Sequence, residues 1–318
     1  MKKITLYLGF SLRLRIFFIF FFMTAAKLHA QEFIPLWPKG KKPNSNGQVV
    51  TDSLYNERIW RVGTPGIYSF LVPKSENRGT TILICPGGGY ERLSYIYNGF
   101  QVAKWFNAMG VNAFVLFYRL PYQTDVLDGP LAPLQDAQRA MKIIRANAAK
   151  WNLKADKIGV FGMSAGGHVV SSLGNSLQDV SAINDSLDTI NYHADFMILV
   201  SPVITMGVYA HPGSKYRLLG TNPSKDKIEK YSNELHVSPG TPPAFIVHAV
   251  NDSTVPVKNS LLFYNALLEK KVNATIHIFP QGGHGIRMYD NPGSTDLFPQ
   301  LLVMWMTEKG FLEPLKKK

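Results

Sequence analysis

The sequence predicts an α/β fold, with a mostly parallel central sheet and helices on both of its faces. Strand-like and helix-like apolar runs alternate along the chain, a pattern typical of repeated βαβ units. A glycine-flanked serine, Ser164, stands between one strand-like run and one helix-like run. Residues 31–318 contain neither an internal repeat nor a linker-like stretch. We therefore predict that they form one domain.

Short runs rich in apolar and β-branched residues predict the strands of this sheet. They are 67–72, 80–85, 111–118, 157–161, 196–200, 244–250 and 275–279. Longer runs predict helices over 100–109, 134–151, 166–173, 257–271 and 297–309. The second of these helices is the clearest, because Ala137, Met141 and Ile144 recur at helical spacing. The fourth follows Pro256, and proline is favoured in the first turn of a helix.

The segment 205–243 is the least regular part of the chain. It is rich in proline and glycine and holds a polar helix-like piece between two predicted strands. A loop of this length in a compact domain is usually functional. We predict that it forms a small cap insertion over the site, with a plain connecting loop as the alternative. His211 and His236 lie in this cap segment and could contact a substrate.

Residues 1–30 have the composition of a secretory signal peptide. Lys2 and Lys3 are basic, 16–26 is almost wholly apolar, and a cleavage-like site precedes Gln31. The apolar run is shorter than the ~20 residues of a membrane-spanning helix. We therefore expect the mature chain to be secreted or periplasmic, without a stable membrane anchor after cleavage. An uncleaved anchor is the alternative, because Leu28 is not the small residue usually found at that position.

The charge and cysteine content narrow the possible partners. The formal net charge is +12, but residues 1–30 contribute five of these charges, which leaves +7. We find no basic stretch with interleaved aromatic residues, so the chain is not expected to bind nucleic acid. A mild preference for acidic polysaccharides stays open. The single cysteine, Cys85, cannot form an internal disulfide, and we expect it to be a small core residue.

The segment 162–167 reads GMSAGG. A G-x-S-x-G sequence between a strand and a helix is the nucleophile elbow of α/β-hydrolases. Its glycines are needed because a side chain there would clash with the neighbouring strand or helix. We predict that Ser164 is a catalytic nucleophile; a serine that merely fits a turn is the alternative.

Two downstream residues complete a candidate triad. Asp252 and His284 each follow a predicted strand, and the order Ser, Asp, His is the one expected for this fold. Because parallel strands end along one edge of a sheet, all three side chains could converge there. Asp252 could instead cap the helix that begins near Pro256, and His284 could be a surface loop residue. Asp195 is a rival acid, but it lies at the opposite end of its strand.

A glycine loop follows the predicted strand 80–85. Such a loop supplies backbone N–H groups to the oxyanion hole of lipases and esterases. We predict that Gly88, Gly89 and the residue after the nucleophile, Ala165, donate these hydrogen bonds. Tyr90 follows the loop directly, and we predict that it contacts the substrate, although packing in the core is an equal alternative.

Six stretches together resemble secreted bacterial carbohydrate esterases of the α/β-hydrolase fold. They are similar to acetyl xylan esterases and related feruloyl or acetyl esterases, and more distantly to hormone-sensitive-lipase-type enzymes. The stretches are 36–40, 85–90, 118–121, 162–168, 218–220 with 242–243, and 248–260 with 282–285. Two departures are Pro86, where lipase-type relatives usually have histidine, and Asn98-Gly99, where these esterases often have Glu-Gly.

The resemblance implies hydrolysis of esters, with acetylated plant polysaccharide such as acetylated xylan as the substrate. It implies Ser164 as nucleophile, His284 as base and Asp252 as its partner, with no cofactor or metal. One rival is a serine peptidase of the prolyl-oligopeptidase type, which usually carries a large extra domain for which residues 31–318 leave no room. Another is a non-catalytic hydrolase-like binding protein, although such proteins commonly lose a triad member and none is missing here.

Overall fold

An eight-stranded sheet organises the part of the chain that the computed structural model describes, residues 31–314. The predicted signal peptide, 1–30, and the terminal lysines 316–318 lie outside these residues. Within residues 31–314, no helix is both long enough and apolar enough to cross a membrane.

The strands of the described residues are numbered in chain order. They are β1 (Phe33–Pro35), β2 (Ser53–Tyr55), β3 (Arg58–Arg61), β4 (Gly66–Phe70), β5 (Thr81–Cys85), β6 (Asn112–Phe117), β7 (Ile158–Met163), β8 (Met197–Val200), β9 (Ala244–Ala249) and β10 (Ala274–Phe279). The α-helices are α1 (Gln101–Ala108), α2 (Ala132–Ala146), α3 (Ala165–Asn175), α4 (Pro212–Leu219), α5 (Lys225–Lys230), α6 (Lys258–Glu269) and α7 (Phe298–Glu308). A π-helix, Ile96–Phe100, leads into α1, and short 3₁₀ turns cover Gly129–Leu131, Ser186–Thr189, Asn233–His236 and Gly293–Leu297.

The strand order of the main sheet is β1-β4-β6-β5-β7-β8-β9-β10. Strands β5 to β10 are parallel to one another, whereas β1 and β4 are antiparallel to their neighbours. Every residue of β5, β6 and β7 is buried, as expected for parallel strands covered on both faces. The α/β fold with a mostly parallel sheet, predicted from the sequence, is confirmed.

The sequence located the long elements and missed the short ones. All seven predicted strands are present with ends shifted by one or two residues, and all five predicted helices are present. Helix α2 ends at Ala146, because the chain turns at 147–152. Strands β1, β2 and β3 have only three or four residues and are partly exposed, so they show no apolar alternation long enough to detect.

Helix α2 buries charged residues that its amphipathic pattern assigns to the outer face. Asp136 and Arg119 form a fully buried ion pair, with 2.8 Å between Nη2 and Oδ1. Asp136 also accepts a hydrogen bond from the indole Nε1 of Trp37 at 2.9 Å. Arg139 and Lys142 are buried against Asp185 and Asp179, respectively. Because each buried charge has a partner, the polar face of α2 can pack inside the protein.

Candidate active site

The turn between β7 and α3 holds Ser164 in a strained backbone conformation. Its φ of 53° and ψ of −124° lie outside the usual regions for a residue with a Cβ atom. A Cβ atom at Gly162 would lie 2.3 Å from the Gly166 carbonyl oxygen, and one at Gly166 would lie 2.0 Å from the Cys85 carbonyl oxygen. The glycines therefore allow β7, α3 and β5 to pack closely around a sharp turn that carries Ser164 at its tip.

Ser164, His284 and Asp252 form a continuous chain of hydrogen bonds. His284 Nε2 lies 2.9 Å from Ser164 Oγ, and His284 Nδ1 lies 2.7 Å from Asp252 Oδ2. Because a carboxylate only accepts hydrogen bonds, Nδ1 carries the proton of neutral His284 and Nε2 is free to accept the proton of Ser164. The structure thus brings together the three residues that sequence order selected.

Asp252 is buried and held ionised by its surroundings. Burial raises the pKa of its carboxyl, but hydrogen bonds from His248, from His284 and from the Val255 N–H outweigh that effect and hold the pKa well below its usual range. Oδ1 accepts from the N–H groups of Thr254 and Val255, both at 2.9 Å. The carboxylate is therefore fixed in position and charged when His284 needs a partner.

His248 is a second histidine that contacts Asp252. Its Nε2 lies 3.2 Å from Asp252 Oδ2 and 3.0 Å from the Val255 carbonyl oxygen, and its Nδ1 lies 2.7 Å from Ser260 Oγ. His248 lies within the predicted strand 244–250, a position that indicates packing in the sheet. The contact forms because the turn after β9 brings Asp252 back to His248, and the spacing of four residues does not by itself predict that turn.

The glycine loop after β5 approaches the nucleophile closely. A Cβ atom at Gly87 would lie 3.1 Å from Ser164 Cβ. Gly88 and Gly89 have φ values of 139° and 67°, which residues with a side chain rarely adopt. Within residues 31–314, the amides of Gly88, Gly89 and Ala165 donate no hydrogen bond. They are available for an oxyanion, as the sequence prediction requires.

Tyr90 lies away from Ser164, which differs from its predicted contact with substrate. Its φ is 60° and only 1% of its surface is exposed, because the left-handed backbone turns the ring inward. The hydroxyl lies 2.7 Å from His168 Nδ1, and His168 Nε2 lies 2.8 Å from the Tyr231 carbonyl oxygen. Since a carbonyl only accepts, Nε2 carries the proton and Tyr90 donates to Nδ1. Tyr90 therefore supports the glycine loop from behind.

The burial of His168 predicts a pH-dependent stability. Burial lowers its pKa to about 4, although the hydrogen bond to Tyr231 opposes this shift. An unfolded chain binds the proton with a pKa of about 6.5, so protonation favours unfolding between these values. We expect the free energy of unfolding to fall by up to about 3 kcal/mol as the pH drops from about 6.5 to 4. Urea unfolding at a series of pH values measures this dependence. Over that range, the free energy of unfolding of the His168→Gln variant should change less with pH than that of the wild-type protein. An identical pH dependence in both proteins would contradict the assignment.

A cavity of about 740 Å³ opens over the triad. Ser164, His284, Gly88 and Gly89 line it, together with side chains from the π-helix and α1, and with His211 from the cap segment. A second, smaller cavity of about 420 Å³ lies behind the glycine loop and is lined by Tyr90 and His168. Within residues 31–314, no cluster of three or more metal-ligating side chains is present.

The cap segment, 205–243, contributes one histidine to the cavity and places the other elsewhere. His211 caps α4, where its Nδ1 accepts from the Ser214 N–H at 3.1 Å. Burial, and then the charge of nearby His284, lower the pKa of His211, so that it stays neutral more readily. His236 lines the smaller cavity, and its Nε2 lies 2.9 Å from the Glu229 carbonyl oxygen. Of these two histidines, only His211 is therefore placed to contact a molecule bound at Ser164.

The arrangement has the parts needed for nucleophilic acyl transfer. A hydroxyl lies within hydrogen-bond distance of a base, and a buried carboxylate orients that base. Free amides stand beside the nucleophile, where a developing oxyanion would need donors.

Comparisons with known proteins agree with this chemistry. The sequence profile of the BD-FAE family matches residues 70–267. The chain is 40% identical over 245 residues to endo-1,4-beta-xylanase B of Butyrivibrio fibrisolvens, which covers 73% of this chain and 38% of that protein. It is 34% identical over 212 residues to an acetylxylan esterase of Xylanibacter ruminicola, covering 65% and 41% of the two chains. The chain thus spans about two fifths of the length of these curated relatives.

Solved structures show the same fold. An acetyl ester-xyloside bifunctional hydrolase from Caldicellulosiruptor lactoaceticus superposes with a TM-score of 0.75 at 34% identity, covering 89% of this chain and 97% of that one. A carboxylesterase from Lactobacillus plantarum superposes with a TM-score of 0.64 at 25% identity, covering 83% and 98%.

Proposed function

The chain belongs to the BD-FAE family, and we propose that it is a serine esterase that hydrolyses carboxylic esters, with acetylated plant polysaccharide such as acetylated xylan as its substrate. The observation that carries this proposal is the hydrogen-bonded chain from Ser164 through His284 to Asp252, at 2.9 and 2.7 Å. Ser164 and His284 line a cavity large enough for a small organic group.

The first half of the reaction forms an acyl-enzyme. His284 Nε2 takes the proton of Ser164 as Oγ attacks the ester carbonyl carbon, and the carbonyl electrons move to its oxygen. The free amides of Gly88, Gly89 and Ala165 bind that oxyanion more strongly than the flat carbonyl, which lowers the barrier. His284 then gives its proton to the alcohol oxygen, and the bond between the carbonyl carbon and that oxygen breaks.

The second half repeats these proton transfers with water. His284 takes a proton from water, whose oxygen attacks the acyl carbon, and the collapse of the oxyanion releases Ser164 with its proton restored. Throughout both halves, the ionised Asp252 stabilises the imidazolium and keeps Nδ1 as the protonated nitrogen.

The choice of substrate rests on the relatives. An acetylxylan esterase and an acetyl ester-xyloside bifunctional hydrolase are among the similar proteins, and both names refer to acetyl groups and to xylose-containing compounds. The signal peptide expected in 1–30 supports the same choice, because a polysaccharide is met outside the cytoplasm. Export remains our proposal on the sequence alone.

The proposal predicts turnover of 4-nitrophenyl acetate and release of acetate from acetylated xylan by the purified protein. The matched control is a chromogenic proline amide, which a prolyl-oligopeptidase-type peptidase would cleave and which we expect to stay intact. Esters of increasing acyl length and feruloylated arabinoxylan, assayed in parallel, define the acyl preference. Cleavage of the amide without turnover of any ester would contradict the proposal, as would a failure of an organophosphonate to label Ser164.

A further inference from the structure

Four arginines from separate segments, each at least partly exposed to solvent, line the cavity above Ser164. We call the part of the cavity wall that carries them the entrance. Arg58 lies in β3, Arg92 follows the glycine loop, Arg217 lies in α4 and Arg287 follows His284. Among the described residues that line this cavity, Glu91 is the only carboxylate. The entrance therefore carries an excess of three positive charges.

Glu91 holds two of these arginines in place. Its Oε1 lies 2.7 Å from Arg217 Nη2, and its Oε2 contacts Arg92 Nη1. The Arg92 guanidinium also stacks on the Trp60 ring, with 5.0 Å from Cζ to the ring centroid. Arg217 stacks on Tyr122 in the same way, at 4.9 Å. Pairing with Glu91 and contact with an aromatic ring restrict the motion of both guanidinium groups.

The other two arginines have no acidic partner. Among residues 31–314, no carboxylate lies within salt-bridge distance of Arg58 or Arg287. Arg58 Nη1 instead donates to the Asn56 carbonyl oxygen at 2.7 Å. Arg58 is partly exposed and Arg287 is exposed, so the guanidinium groups of both are accessible to an anionic ligand in the cavity.

Exposed aromatic rings stand among the arginines. Tyr97, Tyr216 and Tyr289 line the same cavity and are 49%, 53% and 48% exposed. Exposed aromatic rings offer flat apolar faces to which the C–H face of a sugar ring can bind. Sugar-binding faces next to unpartnered arginines suit a sugar that carries a negative charge.

From this arrangement we propose that the cavity entrance binds the carboxylate of a uronic acid residue in the ester-bearing polysaccharide. The assignment of the carboxylate to the sugar, and not to the acyl group, rests on the proposed hydrolysis of acetyl esters. Because an acetyl group is uncharged, the carboxylate must belong to the sugar. Arg58 and Arg287 pair with that carboxylate, and the exposed tyrosines contact the rings beside it.

The binding test uses Ser164→Ala protein, so that it does not depend on turnover. Calorimetry compares a xylo-oligosaccharide that bears a glucuronic acid side group with a neutral one of equal length. We expect the acidic sugar to bind at least ~10-fold more tightly, as charge-assisted hydrogen bonds allow, and 0.5 M NaCl to reduce the difference. Added Arg58→Gln and Arg287→Gln substitutions should abolish the preference, and Arg287→Gln alone, in an exposed loop, should weaken it. Equal affinities, or a preference that survives both substitutions, would overturn the proposal.

A matched control removes a positive charge near the amino-terminal ends of the parallel strands, whereas Ser164 follows the carboxyl-terminal end of β7. Lys309 is exposed and directly follows α7, two residues before Phe311, whose carbonyl accepts a hydrogen bond from Thr80 at the amino end of β5. Lys309→Gln should leave the preference unchanged; an equal loss there would mean that only net charge matters, and would overturn the site.

The kinetic test separates this proposal from the proposed esterase activity. Wild-type protein is assayed on acetylated forms of both oligosaccharides, and we expect kcat/KM to favour the acidic one by at least ~10-fold. Equal kcat/KM values with normal turnover would overturn the carboxylate site alone. No turnover of any ester, with the binding preference intact, would contradict the esterase and leave the site standing. A comparable preference for 4-nitrophenyl hemisuccinate over 4-nitrophenyl butyrate would place the charge on the acyl group and overturn the assignment to a sugar.

Discussion

Ser164→Ala should lower kcat for ester hydrolysis by at least ~10³-fold while the protein still folds. The substitution removes only the Oγ atom, whose partner is His284 Nε2, so no covalent acyl-enzyme can form. The strained backbone does not change, because alanine and serine place the same Cβ atom at φ 53°. Residual turnover from the oxyanion donors and from water is expected, so the loss is large but incomplete.

Ser172→Ala is the matched control for this prediction. Ser172 lies on the same helix, α3, and its hydroxyl contacts the Asn233 side chain at 3.2 Å, outside the cavity that holds Ser164. The control should keep near-normal kcat. Near-normal turnover in Ser164→Ala itself, measured with 4-nitrophenyl acetate and confirmed on acetylated xylan, would remove Ser164 from the mechanism.

The main parts of the site could be predicted because each is signalled by neighbouring residues. The turn at Ser164 demands small residues on both sides, so the glycines mark it in the sequence. Asp252 and His284 each follow a strand, and a parallel sheet brings its strand ends to one edge. These residues therefore converge for a topological reason, and no knowledge of side-chain packing is needed to select them.

The direction of Tyr90 could not be predicted in the same way. Its position in the sequence, next to the glycine loop, is compatible with either side of that loop. A left-handed backbone at Tyr90 selects the inner side, where His168 accepts a hydrogen bond from its hydroxyl. That choice depends on a partner 78 residues away, which no local pattern records.

The arginines of the entrance show a similar limit. They come from a short strand, a loop, a cap-segment helix and the loop after His284, with no common spacing. The sequence could show only that residues 31–318 are basic as a whole. The fold turns that diffuse charge into a cluster around one opening, which is why a specific ligand could be proposed only from the structure.

Asp252→Asn is the substitution for which we expect the second large effect, a loss of ~10³ to 10⁴ in kcat. An asparagine can keep its oxygen toward the N–H groups of Thr254 and Val255, so the turn after β9 is retained. Its NH₂ group would then face His284 and donate to Nδ1. Neutral His284 would carry its proton on Nε2 instead, and that nitrogen could no longer accept the proton of Ser164.

Asp195→Asn distinguishes this tautomer effect from the general loss of a partly buried acid. Asp195 Oδ2 accepts from the Ile158 N–H at 2.7 Å and pairs with Arg145 at 3.3 Å, at the amino-terminal edge of the sheet. Its loss should lower the free energy of unfolding and leave kcat near normal. If Asp252→Asn instead behaved like Asp195→Asn, with reduced stability and normal kcat, Asp252 would be only a structural cap for the turn before α6. Loss of kcat in a folded Asp252→Asn protein would instead show that His284 needs this carboxylate, both to keep the proton on Nδ1 and to stabilise the imidazolium.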